Sequence, residues 1–163
     1  MKTRAFLLAT LAAVPFLAGP GPARAASPTV DDAMVLWDWM ARTVATVARC
    51  ADYDFERRDQ HLAVLDRYFG DVKDAQDKIE SILLAHARQQ GSRNPARETA
   101  ALMDAAINKA RAVVDEENQG HDIRFIKNVC KTLAADQDAG TALFQPLADR
   151  FPDEAKALRW SVP

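Results

Sequence analysis

The chain has 163 residues, of which 48% are hydrophobic, and it carries a formal charge of −2 with a pI near 5.9. This length suits one domain with a substantial core, and the apolar content with low net charge excludes a disordered chain. The acidic balance argues against a nucleic-acid-binding protein, which needs a basic surface to neutralise phosphates.

The first 25 residues have the three parts of a cleavable secretory signal peptide. Lys2 and Arg4 precede an apolar run over 5–18, and an Ala-Arg-Ala sequence ends at Ala25, the predicted cleavage site. This run is too short to span a bilayer comfortably, and no later stretch comes near the roughly 20 apolar residues of a membrane span. We therefore predict export to the periplasm, or secretion. The mature chain, 26–163, loses three basic residues and reaches a formal charge of −5, which disfavours nucleic acid and acidic lipid as partners.

The two cysteines of the chain, Cys50 and Cys130, are predicted to form an intramolecular disulfide. An even number of cysteines in an oxidising compartment favours this pairing. A pair of free thiols in a redox or metal site is the alternative. The Cys-x-x-Cys spacing that lowers a thiol pKa in redox sites is absent.

The first predicted helix begins near Thr29, where Asp32 completes a capping box. Its apolar residues recur at steps of three and four and form one core-facing stripe: Val30, Ala33, Trp37, Met40, Val44, Val47 and Ala51. Cys50 lies in the last turn of this helix, beside the stripe.

The segment from Asp59 to Gln90 keeps the helical rhythm across Gly70. It is either one long helix or two helices separated at Gly70, with Asp71 as the second N-cap. A break or kink is favoured, because glycine costs about 1 kcal/mol inside a helix and Asp71 offers a cap. Acidic residues at every third position of this segment alternate with lysines and indicate a solvated face: Asp71, Asp74, Asp77 and Glu80.

Asn94 and Pro95 are the typical start of another helix, which is predicted to continue to about Asn118. After Gly120, either His121 or Asp122 opens a further helix that places Cys130 on its buried stripe. The first helix and this one are therefore expected to touch.

Residues 141–163 contain three prolines and are predicted to form a C-terminal strap of short helices, anchored by Trp160. The predicted fold is all-α: one helical domain, a bundle of five to six helices with one disulfide.

The spacing of the three histidines gives little support to a metal-binding or acid–base site. His61, His86 and His121 lack the i, i+4 pairing that places two metal ligands on one helical face. We expect a solvated His61, His86 at the edge of the helix seam and a capping His121. No motif for nucleophilic catalysis, phosphate binding or covalent haem attachment occurs. The sequence therefore predicts no catalytic, cofactor-binding or metal-ligating residues.

The run Asp115, Glu116 and Glu117 is the candidate partner surface. Carboxylates near the C-terminus of a helix oppose its dipole, so this run has a local energetic cost. Either it binds a basic surface of a partner, or the cost is offset elsewhere in the fold.

The sequence favours an exported, non-catalytic helical protein that acts as a protein-binding or structural module of the bacterial envelope. Its partner is an unidentified protein or a second copy of the chain. The alternative is a carrier of haem or lipid, with an apolar pocket between helices lined by Trp37, Trp39, Phe55, Tyr68 and Phe69. An enzyme ranks third, because residues that converge only in space leave no pattern in the sequence.

Overall fold

The computed structural model describes residues 28–135 and 143–158, and this part of the chain is helical without a strand. The helices are α1 (Val30–Tyr53), α2 (Arg58–Gln89), α3 (Pro95–Asn118), α4 (Ile123–Ala135), α5 (Leu147–Arg150) and α6 (Pro152–Ala157), with a 3-10 turn at Phe55–Arg57. The all-α prediction is confirmed. The predicted signal peptide and Trp160 lie outside the described residues.

The helix starts follow the capping signals of the sequence. At α1, the Thr29 hydroxyl accepts from the Asp32 N–H at 3.1 Å, while the Asp32 carboxylate accepts from the Thr29 N–H at 2.8 Å. At α3, the Asn94 side chain accepts from the Arg97 N–H at 3.2 Å. These side chains satisfy backbone N–H groups that have no partner within the first turn of a helix.

The predicted break at Gly70 is wrong, because α2 runs without interruption from Arg58 to Gln89. Residues on both sides of Gly70 belong to one buried stripe that includes Tyr68, Val72, Ala75 and Ile79. Burial of that stripe against α1 outweighs the roughly 1 kcal/mol that a helical glycine costs. Gly70 itself is exposed, so the missing side chain leaves no hole in the core.

We expect Gly70→Ala to stabilise the protein by about 1 kcal/mol, because alanine is the better helix former and nothing lies within 4 Å of the added Cβ. Urea unfolding measures the change. The matched control is Gly120→Ala, which should destabilise by ~1 kcal/mol because Gly120 has φ of 85° in the turn before α4. A Gly70→Ala variant less stable than the parent protein would contradict a continuous α2.

Helix α1 lies at the centre of the fold and packs against α2, α3, α4 and α6. It is antiparallel to α2, since the end of α1 at Val47 packs with the start of α2 at Val64 and Leu65. It runs parallel to α3, because the Trp37 indole donates to the Met103 carbonyl at 3.1 Å and Arg49 reaches Asp115 farther along both helices. The largest cluster of buried residues joins α1, α2, α3 and the strap.

The C-terminal strap covers the N-terminal half of α1, and its described part forms α5 and α6. Leu147 and Leu158 are buried in the main core. Phe151 packs edge-on against Trp39, with ring centroids 5.9 Å apart, and the Arg150 guanidinium lies 3.6 Å from the Trp39 ring centroid. The strap therefore closes the part of the α1 surface that the short α4 does not reach.

The predicted disulfide between Cys50 and Cys130 is present and joins the end of α1 to the middle of α4. The S–S distance is 2.03 Å, and the two Cα atoms are 5.3 Å apart. Cys130 lies on the buried face of α4, as expected, and packs with Ile126 and Cys50. This contact between α1 and α4 determines which side of α4 faces solvent.

Candidate functional site

Helix α4 exposes apolar side chains that a short surface helix would ordinarily bury. Phe125 is 54% exposed and Val129 is 47% exposed, and the two are one helical turn apart. The His121 ring stacks on Phe125 with a centroid distance of 4.8 Å. We call Phe125 and Val129, together with the His121 ring that stacks on Phe125 from just before the helix, the apolar face of α4. Exposed apolar groups in contact with one another are typical of protein interaction sites.

A shallow cleft of about 160 Å³ lies beside this face, where α1, α3 and α4 meet. Its lining combines the apolar face with the disulfide and with polar groups from α1 and α3: Thr46, Arg49, Glu117 and Asn118. The cleft is too small for haem or lipid and is large enough for one inserted side chain of a partner.

The candidate partner surface, Asp115 to Glu117, lies at the C-terminal end of α3 and is partly engaged within the chain. The Arg49 guanidinium pairs with the Asp115 carboxylate at 3.0 Å, and Arg42 pairs with Glu117. Glu116 is exposed. The two arginines of α1 offset the cost of carboxylates near a helix C-terminus. Binding of a basic partner at this position stays a prediction.

Three basic residues follow another side of α4. Arg124, Lys127 and Lys131 recur at steps of three and four, so they form a single row, which we call the basic stripe. All three are exposed, and none forms an ion pair with another residue of the described ranges. The buried residues Ile126 and Cys130 separate this row from the apolar face on the inner side of the helix.

A larger groove of about 490 Å³ runs beside the middle of α2, against the start of the strap. Its described lining is part apolar and part charged: Val64, Tyr68, Val72, Phe144 and Leu147 together with Arg67, Asp71, Lys73 and Asp74. The Tyr68 and Phe144 rings pack edge-on with centroids 6.3 Å apart. Burial raises the pKa of Tyr68 to about 12.

The aromatic residues predicted to line a carrier pocket do not come together. Trp37 and Tyr68 are buried in the core, whereas Phe55 is 70% exposed and Phe69 is 46% exposed. Trp39 packs under the strap. Of this predicted set, Tyr68 lines the groove, which is formed instead by residues of α2 and the strap.

A buried cluster of charged and polar residues lies under the turn between α1 and α2, and it corrects the expectation of a solvated His61. His61 is fully buried, and its Nε2 lies 3.4 Å from the Asp54 Oδ2. Arg57 donates from Nη1 to both carboxylate oxygens of Asp54, at 3.2 and 3.0 Å. The 3-10 turn folds Asp54 back under the first turn of α2, a contact that helical periodicity does not reveal.

The Asp54 carboxyl has a pKa below its usual value. Burial alone raises this pKa, and the hydrogen bonds and the electrostatic attraction of Arg57 and His61 together outweigh the burial. The Asp32 carboxyl in the capping box also has a lowered pKa, because it accepts hydrogen bonds from Thr29. Both carboxylates therefore stabilise the fold only while they are ionised.

We expect the melting temperature to fall as the pH drops from about 5 to 2. In the unfolded chain these aspartates take up protons near pH 3.9, whereas in the folded chain they stay ionised until the pH falls through their lowered pKa values. Protonation therefore favours the unfolded chain in this pH range. Asp54→Asn should make the slope of melting temperature against pH shallower in this range. The matched control, Asp66→Asn on the exposed side of α2, should leave the slope unchanged. Equal slopes in the parent protein and Asp54→Asn would contradict the role of Asp54.

The other histidines lie apart from this cluster. His86 is exposed near the end of α2. Asp122, and not His121, caps α4, since its carboxylate accepts from the Arg124 N–H at 2.7 Å. Within the described ranges, no group of three or more His, Cys, Asp or Glu side chains is placed to hold a metal ion.

Comparison with protein-family models, with curated proteins and with solved structures finds no match to this chain. No described helix combines the length and the apolar character needed to cross a membrane.

Proposed function

We propose that this chain is an exported, non-catalytic helical module of the bacterial envelope that binds a protein partner, either a different protein or a second copy, through the apolar face of α4. The observation that carries the proposal is the exposure of Phe125 and Val129 on a helix that the disulfide holds against α1. A helix fixed in this way presents its apolar groups without a large loss of entropy on binding. A disulfide is also compatible with an oxidising compartment such as the periplasm.

The non-catalytic part of the proposal is supported by the position of the His61 and Asp54 contact. A histidine oriented by an aspartate is a common device in acid–base catalysis. Here the His61 side chain has no exposed surface, so a substrate cannot reach its ring. The lowered pKa of Asp54 has a structural explanation in the hydrogen bonds that hold the turn after α1.

Site-specific photocrosslinking in the exporting cell tests the proposed binding face. A benzophenone amino acid at position 125 should give a discrete crosslinked product, because this position lies on the proposed face. The matched control is the same probe at position 69, another exposed phenylalanine site, on α2. Absence of a product at position 125, or the same product from both positions, would contradict the proposal.

The groove beside α2 supports a second candidate function, a carrier of a small amphiphilic ligand. Its volume of about 490 Å³ and its mixed apolar and charged lining suit such a molecule. Native mass spectra of the exported protein, taken without reductant, would show the ligand as extra mass on the oxidised chain. Ala148→Trp fills the groove from the strap side and should remove that mass, whereas an unmodified mass in the parent protein would contradict a carrier.

A further inference from the structure

The surface around α4 is divided by charge. On one side lies the acidic end of α3, where Asp52 of α1 joins Asp115, Glu116 and Glu117. Four carboxylates face two arginines there, Arg42 and Arg49, so this side is net negative. On the other side lies the basic stripe, whose three cations form no ion pair with another residue of 28–135 or 143–158. The apolar face of α4 lies between the two sides.

This order of charges makes the surface complementary to itself. In a two-fold dimer, each residue of the interface meets its partner under a half-turn, so a surface that is negative on one side and positive on the other matches its own copy. The half-turn places the basic stripe of one chain over the acidic end of α3 in the other. It also brings the two apolar faces together near the axis, where Phe125 and Val129 become buried.

We propose that the partner of the α4 surface is a second copy of this chain, bound through a two-fold contact of basic stripe with acidic end. This inference rests on the proposed binding role of the apolar face. It adds a reason for a row of exposed cations on α4 in a mature chain that is otherwise acidic. Opposite charges across the contact favour this two-fold arrangement. An arrangement in which the two basic stripes face each other is disfavoured, because like charges would then meet.

Charge reversal tests the inference by sedimentation equilibrium on the oxidised, exported protein. Lys127→Glu/Lys131→Glu makes the basic stripe acidic, and Asp52→Lys/Glu116→Lys makes the acidic end basic. All four positions are exposed, so the fold should tolerate the changes. Each variant alone should weaken dimerisation at least ~10-fold, because like charges then meet at both contacts. An equimolar mixture of the two variants should dimerise as the parent protein does, because both contacts regain opposite charges.

Two further results complete the test. Phe125→Asp should abolish dimerisation, and salt raised to about 0.5 M should weaken the parent dimer by screening. Circular dichroism confirms that each variant remains helical. A parent protein that is monomeric at about 100 μM, or a variant mixture that stays monomeric, would overturn the inference.

Failure of the dimer and failure of the binding role are distinguishable. A crosslink from position 125 to a different protein, with a monomeric parent chain, overturns the dimer and leaves the binding role standing. A crosslink between two copies supports both. Without any crosslink at position 125, and with a monomer in sedimentation, both proposals fall.

Discussion

Replacement of Cys50 and Cys130 by alanine is expected to lower the free energy of unfolding by about 4 kcal/mol. The disulfide joins residues 80 positions apart, and the closure of so long a loop restricts the unfolded chain. The effect in the folded state is concentrated on α4, whose buried residues are Ile126 and Cys130. Without the bond, α4 retains only a small apolar contact with α1 and α2.

Urea unfolding measures the lost stability, and amide hydrogen exchange locates it. Exchange should accelerate most over α4, while α1, α2 and α3 keep their protection relative to one another. The oxidised parent protein and the same protein under reductant form the matched comparison, since reduction breaks the bond without changing a residue. A loss below about 1 kcal/mol, or equal acceleration in all four helices, would contradict this account of α4.

Asp54→Ala is expected to lower the free energy of unfolding by about 3 kcal/mol. The loss arises because the side chains that contact the Asp54 carboxylate are left without a hydrogen-bond partner. His61 Nε2 and Arg57 both lose their acceptor, and His61 is fully buried where water cannot replace it. Arg57 is partly exposed and recovers some hydration, so the cost stays at the lower end of the range for a broken buried pair.

Thermal and urea unfolding of three variants would measure how much this cluster contributes to the free energy of unfolding. Asp66→Ala, on the exposed side of α2, is the control for removal of an aspartate and should change stability by less than about 0.5 kcal/mol. Asp54→Asn keeps an acceptor oxygen and should fall between the two alanine variants. Equal stability of Asp54→Ala and Asp66→Ala would show that the buried contacts contribute nothing.

The incorrect predictions at Gly70 and at His61 share one physical origin, because both left out contacts made when α1 and α2 pack together. At Gly70, the prediction of a break rested on two local effects, the free-energy cost of glycine inside a helix and the N-cap that Asp71 could supply. The continuous stripe that joins Tyr68 to Val72 and packs against α1 decides in favour of one helix. At His61, the prediction of a solvated side chain considered only the spacing of the histidines and did not include Asp54. Asp54 reaches the His61 ring only because the chain reverses between α1 and α2.

The surface around α4 was partly visible in the sequence. The run Asp115 to Glu117 and its cost near a helix end could be recognised from charge alone. The arginines of α1 that pair with it lie 66 and 75 positions away, as Arg49 with Asp115 and Arg42 with Glu117. The exposed apolar face of α4 was missed, because a short helix with apolar residues on several sides does not show which of them are covered. The spacing of Arg124, Lys127 and Lys131 was the available signal for the basic stripe.

The sequence by itself determined the all-α class, the helix starts at Thr29 and Asn94, and the pairing of Cys50 with Cys130. These features depend on backbone preferences, caps and periodicity within a few residues, or on the presence of just two cysteines. The tertiary structure alone decided that α2 continues through Gly70, that Asp54 and His61 meet, and that α4 presents Phe125 to solvent. Each of these outcomes depends on how the helices pack against one another, and no local pattern contains those packing energies.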